Sequence, residues 1–81
     1  MEILIAGPGC ARCRTTEKIV TDACNELKVA ANISHIYDVK EYSKYGVKIT
    51  PAVIIDNKIV ISGRVPSPEE IKQVILQFQD Q

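Results

Sequence analysis

The stretch Glu2-Ile3-Leu4-Ile5-Ala6-Gly7-Pro8-Gly9-Cys10-Ala11-Arg12-Cys13 decides how the chain folds. Glu2 to Ala6 is a short apolar run of the kind found in strands covered on both faces, and Gly7-Pro8-Gly9 breaks it. From Ala11 the pattern changes. Ile19, Val20, Ala23, Cys24, Leu27, Ala30 and Ala31 recur at three- and four-residue steps, which predicts one apolar helical face in a helix of about twenty residues ending near Asn32. Cys10 and Cys13 therefore stand where the first strand feeds the first helix.

Working outward, Ile33 to Tyr37 reads as a second buried strand. The long helical connection predicts that it runs parallel to the first, through a right-handed crossover. Asp38 to Tyr45 is polar with scattered apolar positions, enough for one or two helical turns, and Gly46 offers a left-handed stop. After Thr50-Pro51, the β-branched runs Ala52 to Ile55 and Ile59 to Ser62 flank Asp56-Asn57-Lys58, a tight reversal that predicts an antiparallel hairpin. At the end, Ser67 is placed as N-cap, Pro68 at the first helical position and Glu70 to complete a capping box. Ile71, Val74, Ile75 and Phe78 then line one face. The order is β-α-β-α-β-β-α: an α/β chain with a mixed four-stranded sheet flanked by helices, expected to form a single domain over residues 1–81.

Composition bounds the function. The 81 residues are 46% hydrophobic and 25% charged, with ten basic residues against ten acidic ones. A chain of this size buries only about 60 to 65% of its unfolded surface, so large lids and elaborate pockets are not expected. The balanced charge argues against nucleic acid or an anionic membrane as partner, because phosphate binding needs a concentrated basic surface. The apolar stretches Ala52 to Ile55 and Ile59 to Ile61 fall far short of the roughly 20 residues that span a bilayer. Met1 to Ile5 starts acidic and lacks the basic flank of a secretion signal. The expected location is cytoplasmic. Three cysteines cannot all pair within one chain, so no disulfide-stapled framework is expected. A Cys-x-x-Cys pair in a reducing compartment points to redox chemistry or to half of a metal site.

Position favours redox chemistry. With Gly9 ending the loop, Cys10 takes the cap of the first helix, where unpaired amides and the positive end of the dipole favour a thiolate. Cys13 lies one turn further on and inward, near enough to close a small disulfide ring. An accessible thiolate attacks a partner's disulfide and a sheltered thiol resolves the mixed disulfide, so Cys10 is the expected attacker and Cys13 the resolver. Arg12 and Arg14 add positive charge nearby, with Arg12 expected to tune the electrostatics of the attacking sulfur.

Cys10-Ala11-Arg12-Cys13 after a first strand, Tyr45-Gly46-Val47 before Thr50-Pro51, the hairpin Ala52 to Ser62, Gly63 and a closing helix together resemble the thioredoxin-like superfamily over nearly the whole chain. Within it the chain is most similar to the small redox-active disulfide protein 2 family, with the lead Gly7 to Cys10. The resemblance implies a minimal thioredoxin fold and thiol–disulfide oxidoreductase activity on protein disulfides, with a thioredoxin-reductase-like electron donor; no cofactor is expected, and nothing in the sequence demands more than a monomer. It also implies that Pro51 is cis and faces the disulfide, that the Thr50 backbone pairs with an extended substrate segment, and that Gly63 leaves a flat spot for a partner's backbone. Departures from thioredoxin proper are equally specific. The chain has no Trp. Gly9 replaces the tryptophan before the first cysteine, Leu4 falls where a buried acid is kept, and Ala11-Arg12 replaces Gly-Pro. Ser62-Gly63-Arg64 lacks the Gly-Gly and acidic pair with which glutaredoxins hold glutathione.

The rival reading is a soft-metal module or chaperone, because two thiolates at this spacing also bind copper(I) or zinc. A structural zinc site needs four ligands and no second Cys or His pair exists, so no metal site is expected within the chain. Copper chaperones of similar size end in a strand, whereas this chain ends in a capped helix, and Pro8 stands where they usually carry methionine. A redox-inactive interaction domain is the third reading. Cys24, about 16 Å along the same helical face from Cys13, is expected to be a structural cysteine. His35 is expected to be packed or solvent-facing, and Tyr37, Tyr42 and Tyr45 to serve packing. Asp38 ends the second strand near the ligand-gathering side of such sheets. Lys40, Lys44 and Lys48 read as a solvated face.

Overall fold

The computed structural model describes residues 1–9 and 11–79. Four strands, β1 (Glu2–Ala6), β2 (Asn32–Ile36), β3 (Ala52–Ile55) and β4 (Lys58–Ser62), form one sheet in the order β2-β1-β3-β4. β1 pairs parallel with β2 and antiparallel with β3, and β3 pairs antiparallel with β4. Three helices, α1 (Ala11–Leu27), α2 (Val39–Tyr45) and α3 (Pro68–Gln79), complete the β-α-β-α-β-β-α order of a minimal thioredoxin fold.

Alternation along the strands sorts the core into two clusters. Ile3, Ile5, Val53, Ile55 and Ile61 meet Val20, Ala23 and Cys24 of α1 and Ile71 and Ile75 of α3. On the other cluster, Ala6, Ala52, Ile54 and Val47 are joined by Leu4, Ile36 and the α2 tyrosines Tyr42 and Tyr45. β3 is consequently buried at every position. Each fully buried isoleucine contributes on the order of 1.5–3 kcal/mol of transfer free energy, which is why the helices stay fixed to so small a sheet.

α1 is shorter than the apolar spacing predicts. It stops at Leu27 because Lys28 turns left-handed (φ 56°) and the Val29 N–H donates back to the Cys24 carbonyl (3.0 Å). Val29 and Ala31 still pack against the core, but from the connecting segment, so they prolong the apolar pattern without prolonging the helix. β2 also departs from expectation. It begins one residue earlier, at Asn32, and has no fully buried residue, because it is an edge of the sheet rather than an interior strand.

α2 is capped at both ends: the Asp38 side chain accepts from the Lys40 N–H (2.9 Å), and Gly46 takes a left-handed conformation (φ 77°). Asp38 is thus a helix cap. The hairpin turn uses two residues, Asp56 (φ 48°) and Asn57 (φ 70°), and Lys58 already belongs to β4. A bulge opposite Val53 and Ile54 leaves Val60 as the extra residue. At α3 the Ser67 hydroxyl accepts from the Glu70 N–H (3.1 Å). The Glu70 carboxylate is shared: its main partner is the Arg64 guanidinium, with the Ser67 backbone contributing less.

Candidate functional site

The site grows from the end of β1. Gly7 is buried, and its N–H donates to the Ile36 carbonyl (3.0 Å), extending the β1–β2 ladder by one bond. Pro8 is exposed, and Gly9 adopts a left-handed φ of 88° that favours glycine. A Cβ on Gly9 would stand 3.2 Å from the Tyr37 ring, so Tyr37, though 61% exposed, walls this side of the loop. Cys10 lies outside the described residues, and its role as attacking thiol is taken up below.

Cys13 is fully buried in the first turn of α1. A Cβ on Gly7 would overlap the Cys13 Sγ, so the bare Cα of Gly7 and the sulfur lie in direct apposition. Below Cys13, the buried Thr16 hydroxyl donates to the Arg12 carbonyl (2.9 Å), and the Thr15 hydroxyl donates to the Ala11 carbonyl (2.9 Å). These bonds hold the first turn by its own carbonyls.

Two further segments reach the same place. The Thr50–Pro51 peptide is cis, Pro51 is buried, and Thr50 is half-buried at the loop's edge. The Thr50 Cβ lies 3.9 Å from where a Gly7 Cβ would be. The Gly63 N–H donates to the Pro51 carbonyl (2.9 Å), and the Gly63 carbonyl accepts from Arg12 Nη2 (3.4 Å). Gly63 itself is left-handed (φ 77°) and pressed on Ile49, whose Cγ2 would be 2.6 Å from a Cβ there. Cys13, Arg12, Thr50, Pro51 and Gly63 therefore belong to one connected rim. Arg12 is held by a carbonyl across the rim.

Three participants are not evident from the sequence pattern. Ile49, 60% exposed, fills the space beside Gly63. Gly7 provides the missing side chain that the Cys13 sulfur needs, and the Gly-Pro-Gly run was its available signal. His35 is the third. Its side chain is only 5% exposed, with Nε2 3.2 Å from the Gly7 carbonyl and Nδ1 3.4 Å from the Glu17 carboxylate. It also stacks on Tyr37, with ring centroids 4.0 Å apart and planes within 3°.

Cys24 lies away from the rim in the α1–α3 core, where burial pushes its thiol above the ordinary range. Lys44 is exposed and paired with Glu41 (3.0 Å), and Lys40 and Lys48 are exposed as well. Among the described residues no group of three or more His, Cys, Asp or Glu side chains gathers into a metal-ligating cluster. None of the described helices is long and apolar enough to cross a membrane.

The family model for the thioredoxin domain matches residues 1–76. A thioredoxin of Methanocaldococcus jannaschii is 40% identical over 76 residues, covering 94% of this chain and 87% of its own length. A thioredoxin of Methanothermobacter thermautotrophicus is 36% identical over 75 residues, covering 93% of this chain and 97% of its own.

Proposed function

The chain belongs to the thioredoxin family, and from that premise we propose that it exchanges electrons between a Cys10–Cys13 dithiol and the disulfides of partner proteins. A thioredoxin-like redox function is common to its relatives; the roles of the individual residues are our reading. The Cys10 thiolate attacks one sulfur of the partner's disulfide, forming a mixed disulfide and releasing the partner's other sulfur as a thiolate, which takes up a proton. Cys13 then gives its proton to water or to the departing sulfur and attacks the Cys10 sulfur. The Cys10–Cys13 bond forms as the Cys10–partner bond breaks. Two electrons have passed to the partner, and a thioredoxin-reductase-like donor returns them to the pair.

The single observation that carries this reading is the burial of Cys13 beneath Gly7 at the head of α1. A resolving thiol must be sheltered from outside disulfides and yet stand one helical turn from the attacker. Thr50 and Pro51 are assigned to the partner's extended backbone, since they edge the loop beside Gly7, while Gly63, whose bare side is taken up by Ile49, is assigned to hold Pro51 and Arg12 in the rim. Arg12 keeps positive charge at the rim while its guanidinium reaches the Gly63 carbonyl.

Turnover of insulin disulfide by the reduced protein tests the proposal. Wild type is expected to turn over, Cys10→Ser to be inactive, and Cys13→Ser to be trapped as a mixed disulfide through Cys10. Stoichiometric copper(I) binding without turnover overturns it in favour of a soft-metal carrier. Partner binding indifferent to both substitutions, again without turnover, overturns it in favour of an interaction domain.

A further inference from the structure

His35 is buried, makes polar contacts through both ring nitrogens and plays no part in the exchange chemistry above. One of its partners is the carbonyl of Gly7, the residue whose bare Cα lies against the Cys13 sulfur. We propose that His35, oriented by Glu17 and Tyr37, is a positioning residue for Cys13. By tethering the Gly7 carbonyl it fixes the wall against which the resolving sulfur sits when it attacks the mixed disulfide. The inference rests on the assignment of Cys13 as resolving thiol.

The geometry supports a tether more than packing. Gly7 is held twice by β2: its N–H by the Ile36 carbonyl (3.0 Å) and its C=O by His35 Nε2 (3.2 Å). A carbonyl can only accept, so the proton of that contact is on Nε2. Glu17 Oε2, 3.4 Å from Nδ1, and the Tyr37 ring stacked at 4.0 Å hold the imidazole beside the Gly7 carbonyl. Tyr37 also borders Gly9, which places the two glycines flanking Pro8 under the same pair of rings.

The step affected is the second one. Cys13 loses its proton, its sulfur bonds to the Cys10 sulfur, and the Cys10–partner bond breaks with the electron pair leaving on the partner's sulfur, which is then protonated. Attack on a disulfide demands alignment, and a misplacement of less than an ångström is enough to slow it severalfold or more. The first step uses Cys10 alone and does not depend on the wall behind Cys13.

An aromatic disulfide that releases a coloured thiolate separates the two steps, because Cys10 attack liberates one equivalent and Cys13 resolution a second. The second phase is identified by its loss in Cys13→Ser. A glutamine amide nitrogen reaches the place of Nε2 and an asparagine nitrogen only that of Nδ1, so the two variants divide the contacts of His35. We expect the ratio of second-phase to first-phase rates to fall about tenfold in His35→Asn and His35→Phe, the worth of one hydrogen bond to a preorganised group. In His35→Gln we expect it to stay within about twofold of wild type, a loss smaller than that of the bond itself. Taking the ratio within each protein removes differences in the folded fraction. Equal ratios in His35→Asn, His35→Gln and wild type, an equal fall in all three variants, or a first phase slowed as much as the second would overturn the assignment. A wild-type protein with no second phase overturns the exchange reading itself, and this inference with it.

Discussion

Gly7 presents its bare Cα to the side chain of Cys13: a Cβ added to Gly7 would overlap the sulfur and stand 3.2 Å from the Cys13 Cβ. Both residues are buried, Cys13 completely, so neither gives way readily toward solvent. Gly7→Ala is therefore expected to lower stability by about 1–3 kcal/mol through overpacking, read as a lower urea midpoint. An unchanged midpoint would mean that the loop yields freely and that Gly7 is no wall for Cys13.

The β3–β4 turn makes a sharper backbone prediction. Asn57 sits at φ 70°, where a residue with a Cβ but no turn-stabilising amide costs about 1–2 kcal/mol. Asn57→Ala should be destabilising by about that amount, and Asn57→Gly should be as stable as wild type or more so. Equal thermal midpoints for the alanine and glycine variants would contradict a left-handed Asn57.

Glu70 sets an acid-range test. Its carboxyl is held below the usual range chiefly by the hydrogen bonds from Arg64, against an opposing contribution from burial. Because the folded value lies below the unfolded one, the contribution is present above about pH 4.3 and is lost as pH falls through the folded value. The difference in urea midpoint between wild type and Glu70→Gln should thus be widest near neutrality at low salt and close on acidification. Parallel curves down to low pH would show that the ion pair adds nothing.

Cys24 behaves in the opposite sense. Burial raises its thiol above the ordinary value, so its contribution is complete below the unfolded value of about 8.5 and declines as pH rises through the folded one. Iodoacetamide at mildly alkaline pH should leave Cys24 unmodified in the native protein and label it readily after unfolding in urea. Native labelling at the unfolded rate would place this thiol outside the core.

What the sequence discloses follows how local each signal is. The end of α2 and the start of α3 are legible because Gly46 and Ser67 act within a few residues of themselves, whereas Asp38 reads as the end of a strand and is the cap of α2. The end of α1 is not, since Lys28 carries no special tolerance for a left-handed turn and the apolar Val29 and Ala31 continue the pattern past it. Ile33 and Ile36 resemble interior strand residues, and only pairing with β1 alone makes β2 an edge. In the site, the Cys10–Cys13 spacing and the Thr50-Pro51 step are written in adjacent residues. The His35 contact with Gly7 joins positions 28 apart and depends on the β1–β2 register, so nothing near His35 announces it.

The central claim is that Cys10 and Cys13 close reversibly into a disulfide. Peptide mapping by mass spectrometry after mild oxidation tests it most directly. The account predicts that the peptide spanning both residues loses two hydrogen atoms, resists alkylation and regains both on reduction, while Cys24 remains a thiol. An oxidised sample in which Cys10 and Cys13 are each separately alkylated, or in which either is bonded to Cys24, would contradict it.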